Sequence, residues 1–280
     1  MADVDLDITP EARVRELVAG GHYVMCYLSA GTLETFRADY KANESAWQAL
    51  AVGAITGWAN EAWLDMSSPV LRELLRPRFE RAATKGCSAV EPDNVDCALN
   101  AECWGEIASL RGDAAAAMRA QLSFNTWQSD LAHSLGLGIG LKNTLDLVPQ
   151  LVGHYDFAVV ESCLEFDECQ HLQPFAQAGK AILAVEYRKT DCALAGPDQL
   201  ALKFCEGTDG NTCPGASPWV SCFADDCADC ASAAAGGSGA GVLAGALAGL
   251  LLAGLVAALV LRSRLSRRDA AAQQSSLVAA

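Results

Sequence analysis

Short apolar runs bounded by turn residues recur along the first part of the chain, at residues 4–8, 23–29, 63–66, 89–91, 137–141, 157–161, 181–187 and 200–204. Runs that lack strict alternation suit strands buried on both faces, as in a parallel sheet. The stretches between them are amphipathic at helical spacing: Val70, Leu71, Leu74, Leu75 and Phe79 in one, and Met118, Leu122, Trp127 and Leu131 in another. Parallel strands need crossover connections of this kind. Eight strands with helices between them predict an α/β fold, a closed TIM (β/α)8 barrel over residues 1–205. A chain of 280 residues that is 51% hydrophobic can bury such a core, which leaves one large domain plus appendages.

The appendages lie at the C-terminus. After Cys205 the βα pattern stops, and residues 206–241 form a Cys-rich loop followed by a Gly/Ala/Ser linker. Residues 242–261, VLAGALAGLLLAGLVAALVL, carry no charge. At roughly 1.5 Å per residue such a helix spans a hydrocarbon core of about 30 Å, so we expect one transmembrane helix. RSRLSRR follows at once, which places the short basic and then disordered tail, residues 262–280, in the cytoplasm and the barrel outside, extracellular or lumenal. A polar tail of that length also argues against a lipid-anchor signal. Gly241, Gly245 and Gly249 repeat every fourth residue, a face smooth enough for a weak homodimer through the membrane helix. Met1 runs into Asp3, Asp5 and Asp7 rather than a basic-then-apolar leader. Either a signal peptide is encoded upstream or the protein is tail-anchored with its domain in the cytosol; the cysteines, the position of the Arg cluster and a first strand that starts almost at Met1 favour the first.

Charge and cysteine content narrow the function further. The net charge is −14, and setting aside Arg262, Arg264, Arg267, Arg268 and Asp269 leaves 16 basic against 33 acidic residues. So acidic a surface repels phosphate backbones, which excludes nucleic acid as a partner and favours neutral or cationic ligands. Twelve cysteines, some in short-range pairs such as Cys97 with Cys103 and Cys163 with Cys169, indicate disulfides and an oxidising compartment. Only Cys227 and Cys230 form a CxxC, and His22, His133, His154 and His171 show no ligand spacing. Ile8 and Val14 stand where a calcium loop beginning at Asp3 would need Gly and Glu. No metal and no cofactor is expected.

In βα barrels the active site gathers at the C-terminal strand ends. There the sequence places Ser29 with Glu34 and Arg37, then Asp65, then Glu91, Asp93, Asn94 and Asp96, then Lys142 and Asn143, then Glu161, then Glu186 and Tyr187. Any one such charge is as readily a solvated rim residue or half of an ion pair. As a set, carboxylates crowded at one mouth raise one another's pKa, the condition for a general acid at neutral pH. Trp58 and Trp104, in loop-like surroundings, suit stacking on sugar rings, whereas Trp63, inside a run, suits the core.

The motifs VEPDNVD (residues 90–96), GLKN (140–143) and ESCLEFDEC (161–169) occur in order with VMCYLSAGTLETFRAD, GWANEAWLD and GKAILAVEY. Together they resemble the endo-α-1,4-polygalactosaminidases, glycoside hydrolase family 114. The resemblance runs from about Val4 to Tyr187 and implies a TIM barrel, a retaining mechanism, cleavage within α-1,4-linked galactosamine chains and no cofactor. It implies Asp93 as nucleophile and Glu161 as acid/base, with Glu91, Asn94, Asp96, Asp65, Lys142, Asn143, Glu186, Tyr187 and Trp58 about the sugar. Structural roles for Glu91 and Asp96 are an open alternative. The chain departs from the family pattern at Cys97 and Thr144, which bears on subsite preference. Polymeric galactosamine without acetyl groups is a polycation, matched to an acidic mouth. Two competing readings are a non-catalytic cell-surface glycan-binding protein on the same barrel, and a metal hydrolase, which would lack the usual histidines.

Overall fold

The computed structural model describes residues 1–187, 200–204 and 220–221. Its strands are β1 (Ala2–Asp5), β2 (Val24–Ser29), β3 (Thr32–Glu34), β4 (Ala51–Ala54), β5 (Glu61–Leu64), β6 (Ala89–Asp93), β7 (Gly138–Lys142), β8 (Phe157–Glu161), β9 (Ile182–Glu186), β10 (Leu200–Phe204) and β11 (Val220–Ser221). The main sheet has the order β1-β2-β6-β7-β8-β9-β10-β11, parallel throughout except for β11, which pairs antiparallel with β10.

Alternation along these strands divides the apolar side chains between two cores. Cys26, Leu28, Val90, Ile139, Leu141, Ala158, Val160, Ile182 and Ala184 join a large cluster with Leu71, Leu75 and Phe79 of the helix Pro69–Lys85 and Phe124 and Leu131 of the helix Ala114–Ser134. Met25, Ala89, Phe157, Val159 and Leu183 form a small cluster of their own on the opposite face. The sheet is thus a curled half-barrel, helices outside and a thin packed interior within. Gly140 makes that interior possible: a Cβ there would lie 2.4 Å from the Phe157 ring, which fills the space edge-on to Tyr23.

Helix ends follow local chemistry. Ser68 caps the helix Pro69–Lys85 by accepting from the Val70 N–H, Pro69 opens it, and Gly86 closes it in the left-handed conformation at φ 85°. Asp113 caps Ala114–Ser134 in the same way through Ala116 N–H.

Three expectations about strands are corrected. The run at 63–66 is not a barrel strand: β5 belongs to a separate antiparallel sheet of order β3-β5-β4, and the main sheet passes directly from β2 to β6. A four-residue apolar run cannot distinguish the two settings. The first strand is Ala2–Asp5, not 4–8, because the Asp5 carboxylate accepts from the Asp7 and Ile8 N–H groups at 2.8 and 3.0 Å and turns the chain. Among the described residues seven strands run parallel, the eighth member of the sheet is the antiparallel β11, and β1 pairs only with β2.

Cys97–Cys103 and Cys163–Cys169 are disulfides, as their spacing suggested, and Cys26–Cys87 adds a third that ties β2 to the residues before β6. Among the described residues no helix is long and apolar enough to cross a membrane. The linker, the membrane segment and the tail expected at 206–241, 242–261 and 262–280 lie outside the described residues, apart from β11.

Candidate active site

Period-two alternation fixes which side chains meet. Phase with the inner cluster puts Tyr27 on β2, Glu91 and Asp93 on β6, Lys142 on β7, Glu161 on β8 and Tyr187 just past β9 on the inner face. Three of these strands end in the same way. Asn94, Asn143 and Ser162, each directly after the last strand residue, adopt positive φ of 60°, 46° and 56°. The left-handed region costs a non-glycine residue energy, about 1–3 kcal/mol where the conformation is strained, and turns the chain sharply away. The preceding side chain is left standing at the tip of its strand.

These turns are braced. Asn143 Oδ1 accepts from the Glu161 N–H at 3.1 Å, and Asn94 Nδ2 donates to Thr32 Oγ1 at 3.1 Å and Ser29 Oγ at 3.3 Å. The Asp93 carbonyl accepts from the Ala30 and Gly31 N–H groups. A Cβ on Gly31 would fall 1.6 Å from the Asn94 carbonyl oxygen, so the two loops can meet only if residue 31 is glycine. Behind them, Arg78 donates to the Ser29 carbonyl at 2.6 Å and grips Asp39 with two nitrogens. The Val95 carbonyl accepts from both Asn125 Nδ2 and Thr144 Oγ1, which joins the loops after β6 and β7.

One ammonium stands at the centre. Lys142 Nζ lies 3.2 Å from Glu91 Oε1, 3.2 Å from Asp93 Oδ1 and 3.4 Å from Glu161 Oε2. The remaining oxygens of the outer two carboxylates take tyrosine hydroxyls: Tyr27 donates to Asp93 Oδ2 at 3.0 Å, and Tyr187 donates to Glu161 Oε1. Burial alone would lower the Lys142 pKa, but Asp93, Glu91 and Glu161 outweigh it and hold the ammonium charged. Glu91, fully enclosed, is pushed up by burial and then by Asp3, with Lys142 opposing. Burial, followed by their acidic neighbours, raises Tyr27 and Tyr187 as well, so both stay protonated donors.

The other residues expected at the site are scattered. Glu186 has the opposite phase to Tyr187: it is buried and accepts from the Leu164 N–H at 2.9 Å, bracing the disulfide-closed loop after β8. The Asp65 carboxylate accepts from Ser67 N–H and Oγ in the turn before the helix Pro69–Lys85. Asp96 starts the turn Cys97–Leu99, its carbonyl accepting from Leu99 and Asn100. Trp58 is 45% exposed on the loop between β4 and β5, Trp104 packs partly buried against the core, and Trp63 is buried.

Sequence reasoning missed Tyr27 and Glu61. Tyr27 falls inside a recognised apolar run, but only the sheet shows that it shares the inward phase of Met25. Glu61 had no signal, because the register of the side sheet brings it to Thr32, whose hydroxyl it accepts at 3.0 Å. Burial, then Glu34, push Glu61 up to about 7, and Asp93 adds to the shift. The described residues offer one group with metal-ligand spacing, Cys163, Cys169 and Glu186, but both sulfurs are committed to a disulfide.

Residues 1–229 match Glycoside-hydrolase family GH114. The chain belongs to that family. This family 114 member is 28% identical to Ega3 of Aspergillus fumigatus, solved in complex with galactosamine, over 72% of its own length and 82% of that chain, with a TM-score of 0.64. The glycoside hydrolase domain of PelA from Pseudomonas aeruginosa is similar at 19% identity over 66% of this chain and 76% of that one, with a TM-score of 0.52. A variant of that domain aligns at 18% identity with a TM-score of 0.56. At such identity the PelA likeness is one of fold. No curated protein matches the sequence. The family 114 chain is a glycoside hydrolase, and its strand-tip carboxylates are the groups to weigh for its chemistry.

Proposed function

We propose that this glycoside hydrolase cleaves within α-1,4-linked galactosamine chains by double displacement, with Asp93 as nucleophile and Glu161 as acid/base. One observation carries the reading. Asp93 and Glu161 each put an oxygen on the same Lys142 nitrogen, at 3.2 and 3.4 Å. Two oxygens so held cannot be farther apart than twice the longer distance. That bound accommodates the roughly 5–5.5 Å of retaining enzymes and leaves almost none of the roughly 6.5–9.5 Å that an inverting water requires. In the first step an Asp93 oxygen bonds to the anomeric carbon while the glycosidic oxygen leaves with its electron pair and takes the Glu161 proton. In the second, water adds to that carbon, gives a proton to Glu161, and the bond to Asp93 breaks.

The substrate class rests on charge and kinship. An acidic chain attracts a polycationic amino-sugar polymer, and the Ega3 relative was solved with galactosamine. Glu91, Asn94, Lys142, Asn143 and Tyr187 surround the pair, and Trp58, exposed on the loop between β4 and β5, is proposed as a stacking platform for the polymer. Asp93→Asn and Glu161→Gln should each cut the release of reducing ends from de-N-acetylated galactosaminan by about a thousandfold or more, with polymer binding retained. Full turnover in either variant overturns the assignment, and a wild-type chain that binds but never cleaves would be a glycan-binding protein.

We further propose that the parallel sheet is the larger part of a TIM (β/α)8 barrel. Residues 242–261 would anchor it in a bilayer with the barrel extracellular or lumenal, and with a weak homodimer contact along Gly241, Gly245 and Gly249. The uncharged run and the basic cluster after it support the anchor. Extraction of the full chain from membranes by detergent but not by alkaline carbonate is the expected result.

A further inference from the structure

Double displacement leaves Lys142 without a task, since it neither attacks the sugar nor protonates the leaving oxygen. Its placement is nonetheless tightly constrained. The side chain is 7% exposed and its single ammonium meets three carboxylates from two flanking strands, Glu91 and Asp93 of β6 and Glu161 of β8. Asp93 and Glu161 are held in matching fashion, each by one tyrosine hydroxyl on one oxygen and by Lys142 on the other. Glu91 differs from them. It lies one inward position below Asp93, is 3% exposed, has its second oxygen buried without a hydrogen bond, and so meets only the lysine.

We propose that Lys142 is a positioning residue, a buried pivot seated on Glu91 whose one positive charge serves Asp93 and Glu161 in turn as negative charge passes between them. The inference rests on the double-displacement reading. Before the first step Asp93 is the carboxylate and Glu161 carries the proton. After it Asp93 is a neutral ester and Glu161 is the carboxylate, its proton now on the leaving oxygen. The negative charge has crossed from one side of Lys142 to the other, and nearly equal distances mean that the ammonium need not move to follow it. A fixed cation that is already in place requires no reorganisation at the moment of reaction.

The groups that face this ammonium are Glu91 and Asp93 from β6, Glu161 from β8, Tyr27 from β2 and Tyr187 from the end of β9, with Asp3 of β1 acting on Glu91. A cation favours the ionised form of every carboxyl beside it, so its removal should carry both limbs of a bell-shaped pH profile to higher pH.

The test uses the full chain on de-N-acetylated galactosamine oligomers, with folding followed by circular dichroism. Lys142→Met should lower kcat about a hundredfold while KM changes less than about threefold, and should move both limbs upward by about one pH unit. Lys142→Arg should keep the limbs at their wild-type positions. Where the methionine variant fails to fold, Lys142→Gln takes its place. If that also fails, the arginine variant decides alone, and shifted limbs in it count against the pivot. A folded neutral variant with reduced kcat and unmoved limbs marks Lys142 as merely structural. A raised KM with unchanged kcat marks it as a sugar contact. Either result overturns the pivot while wild-type cleavage leaves the functional reading intact, whereas a wild-type enzyme that cleaves nothing ends both.

Discussion

Glu34 and Glu61 stand directly opposite each other on the antiparallel pair β3 and β5, and the cation beside them is committed to Glu34. Arg37 gives Nε and Nη2 to Glu34 at 2.7 and 2.9 Å and its remaining nitrogen to Asp5 at 2.7 Å, leaving Glu61 a single hydroxyl from Thr32. Like charges so placed destabilise an antiparallel pair, and the site tolerates the arrangement within electrostatic reach of Asp93.

The Glu61 carboxyl titrates at about 7 in the folded chain against an ordinary value of 4.5, so the folded state holds an extra proton between them. Its cost to stability is absent below the ordinary value, accumulates as pH rises from there to about 7, and is level above. Glu61→Gln should therefore stabilise the protein by about 1–3 kcal/mol near pH 8 and have little effect near pH 4, measured by denaturant unfolding at both. Equal effects at the two pH values would contradict it.

Gly31→Ala tests whether loop contact positions Asp93, the proposed nucleophile. The new methyl would meet the Asn94 carbonyl, which is backbone and cannot step aside. We expect a loss of about 3 kcal/mol or more in thermal or denaturant unfolding. In whatever fraction folds, the loss in kcat should exceed the loss in substrate affinity, because the displaced loop carries Asp93. Wild-type stability and turnover would show that the two loops part freely.

The disulfides should rank by the loop that each closes. Cys26–Cys87 spans 61 residues and Cys163–Cys169 spans 6. Chain entropy assigns about 4 kcal/mol to the first and about 2 to the second. Paired Cys→Ala variants compared by denaturant midpoint should show the larger loss at Cys26–Cys87. The reverse order would mean that the short bridge acts chiefly by holding the loop after Glu161 in its native shape.

Much of the architecture was legible because buried parallel strands are written as uninterrupted apolar runs; β2 and β6 to β10 were recognised on that basis. The same property hid the facing of their side chains. Where both faces are buried, composition does not say which alternate residues point inward, so Glu186 and Tyr187 looked equivalent. Only Tyr187 shares the phase of Leu183 and reaches Glu161. Asp93, Glu161 and Lys142 could be picked out singly, since each lies at a strand end, but their meeting at one nitrogen depends on the stagger between β6, β7 and β8. The run at 63–66 misled because Trp63 and Leu64 are as buried in a side sheet as in a barrel wall. Glu61 was invisible for the same reason, its neighbours being set by the register of that sheet.

The central claim is that Asp93 takes the sugar and Glu161 releases it. Its most direct test is the mass of the Glu161→Gln protein after incubation with a galactosaminyl fluoride, followed by peptide mapping. Fluoride leaves without needing an acid, while the next step lacks its base, so a covalent intermediate should accumulate. The account predicts one added galactosaminyl group, on the peptide that contains Asp93 and on that side chain. A sugar attached to another residue, or steady fluoride release with no adduct at all, would contradict it.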